Sequence, residues 1–397
     1  MKFWKNILIS GILIGTLGLA SCSNKQSQNN EENDPPIVDI ENPTGDRESE
    51  TEYLNLNVTY TSTQLDTGSV EDTVEQIYDS VVAIDAYMNN QHYGSGSGVL
   101  FGFDEKFSYI ATCHHVIEGC QGFKIILSNE ETLEAKLVGG DAESDIAVLS
   151  VEKTGLTYAS WFEDTEKLRL GSSVICIGNP LGTLPGSVST GVVSYNNRII
   201  QVDSYHSMKL IQTDVAINSG NSGGGLFNAA GALIGIVNAK YSSSGIEGLG
   251  FAIPANQART IIDSILKTAR YNVQEEAWET GYVEGRWELG FTLGYGSNLF
   301  YRTSIGIASI ATNPTHSDYN KLQVNDKLNA ITITYKDDAK EVLSLTNITA
   351  QTTTLEGIYQ FIYSAGLSIG DVITFDITRG NENVKIEISL IQYVYNI

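Results

Sequence analysis

From about residue 71 onward, short apolar runs alternate with clusters of Gly, Asn, Asp and Ser. The runs include "SGVLFGF", "SYIATCHHV", "FKIILS", "DIAVLSV", "SSVICIGNP", "GVVSYNN" and "GALIGIV", all rich in Val, Ile, Leu and Tyr. Branched and aromatic residues in runs this short, bounded by turn formers, predict many strands in a sandwich or barrel. Two stretches break the rhythm. "VEQIYDS" predicts a short helix leading into a strand with Val81, Val82 and Ile84. "PANQARTIIDSILKTAR" predicts a longer helix that closes this first body. Pro254 suits its first turn, and Ala258, Ile261, Ile262, Ile265 and Ala269 recur at helical spacing on one buried face.

After the charged stretch "YNVQEEAWET" the pattern begins again on a smaller scale, from about residue 281 to 397. "RWELGFTLGY" and "TSIGIASI" predict strands, and "LQVNDKLNAITI" a turn running into another. "LEGIYQFIYSAG" predicts a helix with Leu355, Ile358, Phe361 and Ile362 on one side. The last stretch, "GDVITFDITRGNENVKIEISL", predicts a hairpin turning at Gly380-Asn381. This is the inventory of a small α+β module.

The N-terminal segment is different material. Lys2 and Lys5 precede "ILISGILIGTLGLA", an apolar core too short to span a bilayer comfortably, so residues 1–22 predict a secretory signal. Residues 23–70 are polar and acidic, with too little apolar surface to fold, and predict a disordered tether reaching on the order of 40 Å. Composition adds one exclusion. Asp plus Glu number 47 against 24 Lys plus Arg, a formal charge of −23, and no basic run offers a nucleic-acid surface. Beyond Cys22, three cysteines remain, Cys113, Cys120 and Cys176, an odd number that leaves a thiol unpaired. The stretch "CHHVIEGC" leaves a Cys113–Cys120 bridge open.

The chemistry concentrates in "DVAINSGNSGGGLFN", residues 214–228, where Ser222 stands among glycines. A serine hydroxyl is a poor nucleophile at neutral pH and needs a base, a group orienting that base, and donors for the developing oxyanion. A tight glycine turn aims the N–H groups of Gly220 and Ser222 at one point. "YIATCHHVIEG" puts His115 at the end of an apolar strand, and "GGDAESDIAVLSV" puts Asp145 at the start of another. The order His115, Asp145, Ser222 is the order of the chymotrypsin-like triad. A zinc site made of Cys113, His114, His115 and Cys120 is the competing arrangement, disfavoured because adjacent strand residues face opposite ways. Asp214 reads as a structural carboxylate.

These segments together resemble the HtrA (DegP/DegS-type) family of trypsin-like serine proteases. "GSGSGVLF" is similar to the family's strand before the histidine, "IATCHHVIEG" to TNxHV and "GGDAESDIAVLSV" to GxDxxxDLAVL. "GSSVICIGNPLG", "IQTDVAINSGNSGGGLFNAAGALIGIV" and "GLGFAIP" follow in register, over about 96–254. The resemblance implies a mainly β fold: a chymotrypsin-like double β-barrel over 71–272, then a small α+β PDZ-like domain over 281–397. It implies His115 as general base, Asp145 as orienting acid, Ser222 as nucleophile, and the N–H groups of Gly220 and Ser222 as the oxyanion hole, with His114 structural. Three positions depart from the pattern. Ser219 and Gly225 replace prolines and are expected to loosen the loop, and Cys113 replaces asparagine. Ala216, six residues before the nucleophile, implies a small or aliphatic P1 side chain.

The same resemblance extends to both ends of the chain. "LASC" resembles a bacterial lipobox, implying lipidation at Cys22 and an extracytoplasmic protein anchored to a membrane. Glu288, Leu289, Gly290 and Phe291 resemble a PDZ carboxylate-binding loop, and "LQVNDKLNAI" its LxxGDxIxxI turn, with Asn325 in place of glycine. The implied function is a serine endopeptidase of protein quality control, acting on misfolded or damaged exported proteins. Its implied partners are unfolded polypeptides and C-terminal peptides, with a homotrimer as the family's common assembly. No metal and no cofactor enter this chemistry. The alternative is a catalytically silent peptide-binding chaperone or sensor.

Overall fold

The computed structural model describes residues 56–63, 69–179, 186–201, 207–241, 248–287, 289, 291–297, 302–310, 321–337 and 339–394. The expected signal segment, most of the expected tether, Cys22, Glu288 and Gly290 lie outside these residues.

The chain is first picked up at β1 (Tyr60–Thr61) and α1 (Val70–Ile77). Ser69 and Asp72 cap α1 reciprocally, side chain to backbone in both directions, a motif that contributes about 1 kcal/mol. Six strands then close a barrel: β2 (Val81–Met88), β3 (Gln91–Phe103), β4 (Ser108–Cys113), β5 (Gly122–Ile126), β6 (Thr132–Asp141) and β7 (Ile146–Val151), in the order β2-β3-β4-β7-β6-β5. A short helix, α2 (His114–Ile117), follows β4.

β8 (Ser160–Phe162) leads to the second barrel, made of β9 (Ser173–Gly178), β10 (Ser187–Gln201), β11 (Ser207–Thr213), β12 (Gly225–Asn228), β13 (Ala232–Val237) and β14 (Gly250–Pro254). Its ring closes through β12–β9 on one side and β13–β14 on the other. Both barrels are fully antiparallel, and their inward residues are the apolar runs of the sequence. Trp161, Tyr109 and Phe227 are fully buried in one core, Ile84, Leu100 and Phe123 in another. Each such side chain contributes about 1.5–3 kcal/mol on burial.

Helix α3 (Ala255–Thr268) closes the body. Ala258, Ile261, Ile262 and Ile265, expected on one face, are all buried there. The charged stretch after it forms a small hairpin, β15 (Arg270–Asn272) and β16 (Ala277–Glu279). Trp278 of this hairpin donates its indole N–H to Ser150 Oγ (2.9 Å) and packs with Phe107, Tyr109 and Tyr271.

The C-terminal module has its own core and, among the described residues, six strands: β17 (Phe291–Ser297), β18 (Arg302–Ile310), β19 (Lys327–Thr334), β20 (Leu343–Leu345), β21 (Val372–Arg379) and β22 (Glu382–Ser389), with α4 (Leu355–Tyr363) packed on them. β17 ends the sheet order, and α4 approaches it, since Tyr359 Oη accepts the Leu293 N–H (2.9 Å). Arg379 pairs with Glu382, so the β21–β22 hairpin turns at Gly380-Asn381 as expected.

Two sequence expectations need correction here. The tether does not run to residue 70. Leu56 and Val58 pack on the core, and β1 pairs in parallel with β8, so apolar residues at alternate positions fold where the flanking polarity suggests disorder. His114 and His115 do not lie on a strand either. They open the helical turn α2, so strand alternation is not what separates them.

Candidate active site

The site lies where the two barrels face each other. The first barrel supplies two side chains from adjacent strand ends. β4 and β7 pair at Cys113 and Ile146, which sets the residues just beyond them, His114–His115 and Asp145, side by side. The His114 N–H donates to the Asp145 carbonyl (3.0 Å), and the His115 N–H to Asp145 Oδ1 (2.9 Å). The ring of His115 then reaches Asp145 Oδ2 through Nδ1 at 2.7 Å.

The second barrel supplies Ser222 from the glycine loop before β12. Its Oγ lies 2.8 Å from His115 Nε2. The tautomer follows from the partners. A carboxylate only accepts, so Nδ1 carries the proton and donates to Asp145. The neutral ring is left with Nε2 as acceptor for the Ser222 hydroxyl. Serine, imidazole and carboxylate thus form a continuous relay. The Asp145 side chain is 2% exposed and the His115 side chain 22%, so the acid is sealed while the ring keeps an open edge.

Burial alone would raise the Asp145 carboxyl. The donations from the His115 ring and backbone outweigh it and hold the group below the ordinary carboxylate range. Asn238 adds a further donor, with Nδ2 at 2.8 Å from Asp145 Oδ2. His114 is buried, and that burial keeps its ring below the ordinary range, in keeping with a structural role.

The loop before Ser222 turns tightly on its glycines. Gly220 sits at φ +95°, a conformation that side chains resist. The Asn221 N–H is engaged by the Asn218 carbonyl (3.0 Å) and that of Gly223 by Val237 (2.8 Å). Among the described residues, no acceptor faces the N–H groups of Gly220 and Ser222. These two donors alternate with engaged ones and are free for an incoming oxygen.

Sequence reasoning missed the residue that holds this loop. Ser97, fully buried on β3, uses every polar atom on the nucleophile turn and its surroundings. Its Oγ donates to the Gly220 carbonyl (2.7 Å) and accepts the Asn179 N–H (2.8 Å). Its N–H donates to the Ser222 carbonyl (2.8 Å), and its own carbonyl accepts Thr112 Oγ1 (2.7 Å). The signal was present in "GSGSGVLF", where Ser97 stands between two glycines, but Gly220, the carbonyl it holds in the loop, lies 123 residues away. Asn238 gave no signal at all.

The expected loosening of the loop is not found at Gly225. It is the first residue of β12, paired with Ile236 and Ile177, and a Cβ there would meet the Phe227 ring at 2.3 Å. Asp214 is structural as expected, accepting the Val192 N–H at 2.7 Å. Cys113, Cys120 and Cys176 are all free and buried, so the bridge left open by the sequence does not form. The four-ligand zinc set does not form either, because Cys113 and Cys120 belong to different cores. Cys113 does lie near the relay. Its sulfur and one ligand atom each of His115 and Asp145 fall within 4.8 Å of one another. His115 and Asp145 are committed to each other and the thiol to the Val237 carbonyl at 3.3 Å, and burial pushes that thiol well above its ordinary range. Of the expected peptide-binding loop, Leu289 and Phe291 are buried in the module core, with Phe291 edge-on to Phe375.

The trypsin-like peptidase domain matches residues 96–236. The chain is 41% identical over 220 residues to the serine protease Do-like HtrB of Bacillus subtilis (strain 168), covering 51% of this chain and 48% of that protein. It is 31% identical over 307 residues to the serine protease Do-like HtrA of Lactobacillus helveticus, covering 75% of this chain and 68% of that protein. A probable periplasmic serine protease do/HhoA-like of Haemophilus influenzae is 43% identical over 175 residues, covering 44% of this chain and 37% of that protein. A solved HtrA-type protease with tripeptide aligns over 82% of this chain and 98% of its own, at 25% identity and a TM-score of 0.48. The chain spans about half the length of the Bacillus relatives it matches.

Proposed function

The chain belongs to the HtrA family of Do-like, trypsin-like serine proteases, and from that premise we propose that it is a serine endopeptidase acting through Ser222, His115 and Asp145. The observation that carries this reading is the relay itself, 2.8 Å from Ser222 Oγ to His115 Nε2 and 2.7 Å from Nδ1 to Asp145. Ser222 Oγ attacks the scissile carbonyl as His115 Nε2 takes its proton. Asp145 holds the ring in the Nδ1–H tautomer and stabilises the imidazolium that forms. The carbonyl oxygen, now an anion, accepts from the N–H groups of Gly220 and Ser222. Each such donor is worth roughly a hundred- to a thousandfold in rate. His115 returns the proton to the leaving amine, and water resolves the acyl-enzyme by the same route.

Digestion of casein by the purified protein and by its Ser222→Ala variant tests this reading. The variant keeps its fold and loses cleavage, by a factor on the order of a million. Equal digestion by both proteins overturns the assignment. Absence of Ser222-dependent labelling by a fluorophosphonate at every pH and with added peptide turns it toward the silent, peptide-binding alternative.

The finer reading is an extracytoplasmic quality-control protease. The relatives described as periplasmic support the location, and "LASC" supports a lipid anchor at Cys22. Substrates are unfolded exported polypeptides, and the uncharged Ala216 favours a small or aliphatic P1 residue. The C-terminal module is read as PDZ-like. Its edge strand β17 beside α4 suits addition of a peptide strand. Such a strand would take the Leu293 N–H in place of the Tyr359 hydroxyl.

A further inference from the structure

The turn that carries Asp145 is held from outside the barrels. β6 ends at Asp141 and β7 begins at Ile146, and the two residues pair. The residues between them end in Asp145 at φ 56°, a left-handed conformation that persists in a non-glycine residue only when its surroundings impose it. Asp141 shapes the turn, since its Oδ2 accepts the Ser144 N–H (3.0 Å).

Arg286 grips this turn at two residues. Its Nε and Nη2 donate to the two oxygens of Asp141 at 3.2 and 3.4 Å, and its Nη1 lies 2.7 Å from Glu143 Oε1. The Asp141 side chain is 3% exposed and that of Arg286 19%, so little water screens the pair.

Arg286 is itself held by the body behind it. The Gly281 N–H donates to the Val138 carbonyl (2.7 Å); a Cβ on Gly139 would meet the Gly281 carbonyl, and one on Gly281 the Ile265 carbonyl of α3. The Tyr282 N–H donates to Thr268 Oγ1 of α3 (2.7 Å). The segment after β22 completes the hold. The Tyr393 N–H donates to the Arg286 carbonyl (2.8 Å), and Gln392 Oε1 accepts the Gly285 N–H (2.9 Å).

We propose that Arg286 is a positioning residue for the reaction: by gripping Asp141 and Glu143 it keeps Asp145 in reach of the His115 ring, and it ties that reach to the segment that ends the C-terminal module. The inference rests on the serine-protease reading of the site. Arg286 touches neither substrate nor the reacting atoms, and acts only through the turn.

The test uses the full chain with isotope-labelled histidine, followed by NMR through a pH titration. The His115 resonances are assigned by their loss in His115→Asn. In Arg286→Gln the low-field Nδ1 proton of His115 weakens, because the carboxylate no longer stays against it. kcat falls about tenfold with little change in KM. Arg286→Lys gives smaller changes in the same direction, since it keeps the charge but loses the planar fork. A role of charge alone predicts instead that Arg286→Lys matches wild type in both the proton signal and kcat. That result overturns the proposal, as does an unchanged proton signal in Arg286→Gln. If Arg286→Gln does not fold, Arg286→Lys decides alone. Should the wild-type protein prove inert to a fluorophosphonate, the reading of the reaction fails while the resonance still decides whether Arg286 positions Asp145.

Discussion

The two halves of the site are built by opposite means. The first barrel presents His115 and Asp145 from paired strand ends, and the two residues bind each other through backbone and side chain alike. Few conformations satisfy all of those bonds. The second barrel presents Ser222 from a loop rich in glycine, which on its own has many conformations to choose from. That half is fixed from across the interface, by Ser97 of the first barrel on the carbonyls of Gly220 and Ser222. So the first barrel organises both halves, and the second contributes Ser222 and, among the described residues, two N–H groups that no acceptor engages. The lesson is that a reactive loop can stay glycine-rich, and open to an oxyanion, provided its carbonyls are held by a rigid neighbour.

Breaking the first half should cost most. Asp145→Asn keeps the shape of the site but removes the carboxylate that fixes the Nδ1–H tautomer, and kcat should fall by about ten-thousandfold, read from hydrolysis of a small ester. A fall of tenfold or less would mean that Asn238 and the backbone orient the ring without the charge.

Breaking the second half should cost less. Ser97→Ala removes the donor to the Gly220 carbonyl while leaving the backbone bond to Ser222. The Gly220 N–H loses its aim, and kcat should fall by roughly a hundredfold with KM little altered. If KM rises and kcat holds, Ser97 shapes substrate binding instead, and the contrast between the halves disappears.

The smallest effect sharpens the contrast through stability. The Asp145 carboxyl titrates below its ordinary range in the folded protein, so its contribution to stability is fully present above the unfolded value, about 3.9, and is lost as pH falls through the lower folded value. Between pH 5 and the acid limit, about 3, Asp145→Asn should therefore lose less stability than wild type, measured by denaturant midpoints at each pH. Parallel loss in both proteins would show that the carboxylate is no better held in the folded chain than in the unfolded one.

Much of the site was legible in the chain because its chemistry is local in sequence. Ser222 declares itself by its glycines, Asp145 by the acid before an apolar run, and His115 by the strand it follows. The helix Ala255–Thr268 was legible for a similar reason, since a periodic apolar face needs no distant partner to be seen. Ser97, Asn238 and Arg286 were not legible as site residues. Each acts through a partner far along the chain, and nothing in the residues beside them marks that partner. The segment 56–63 was missed because its polar flanks hide two apolar residues whose value depends on a groove the strand must first find. The histidine pair was misplaced on a strand because two residues are too few to distinguish an extended end from a single helical turn.

The sequence by itself determined the strand-rich class, the second smaller module, and the three residues, Ser222, His115 and Asp145, that the fold brings within hydrogen-bond reach. Those properties follow from residue type and short-range spacing. Only the tertiary structure decided that Ser97 would hold the Ser222 turn, that Arg286 would grip the Asp145 turn, and that Cys113, Cys120 and Cys176 would remain apart. These outcomes depend on which strands become neighbours, and that choice is made by the burial of whole apolar faces, to which no single residue in the chain bears witness.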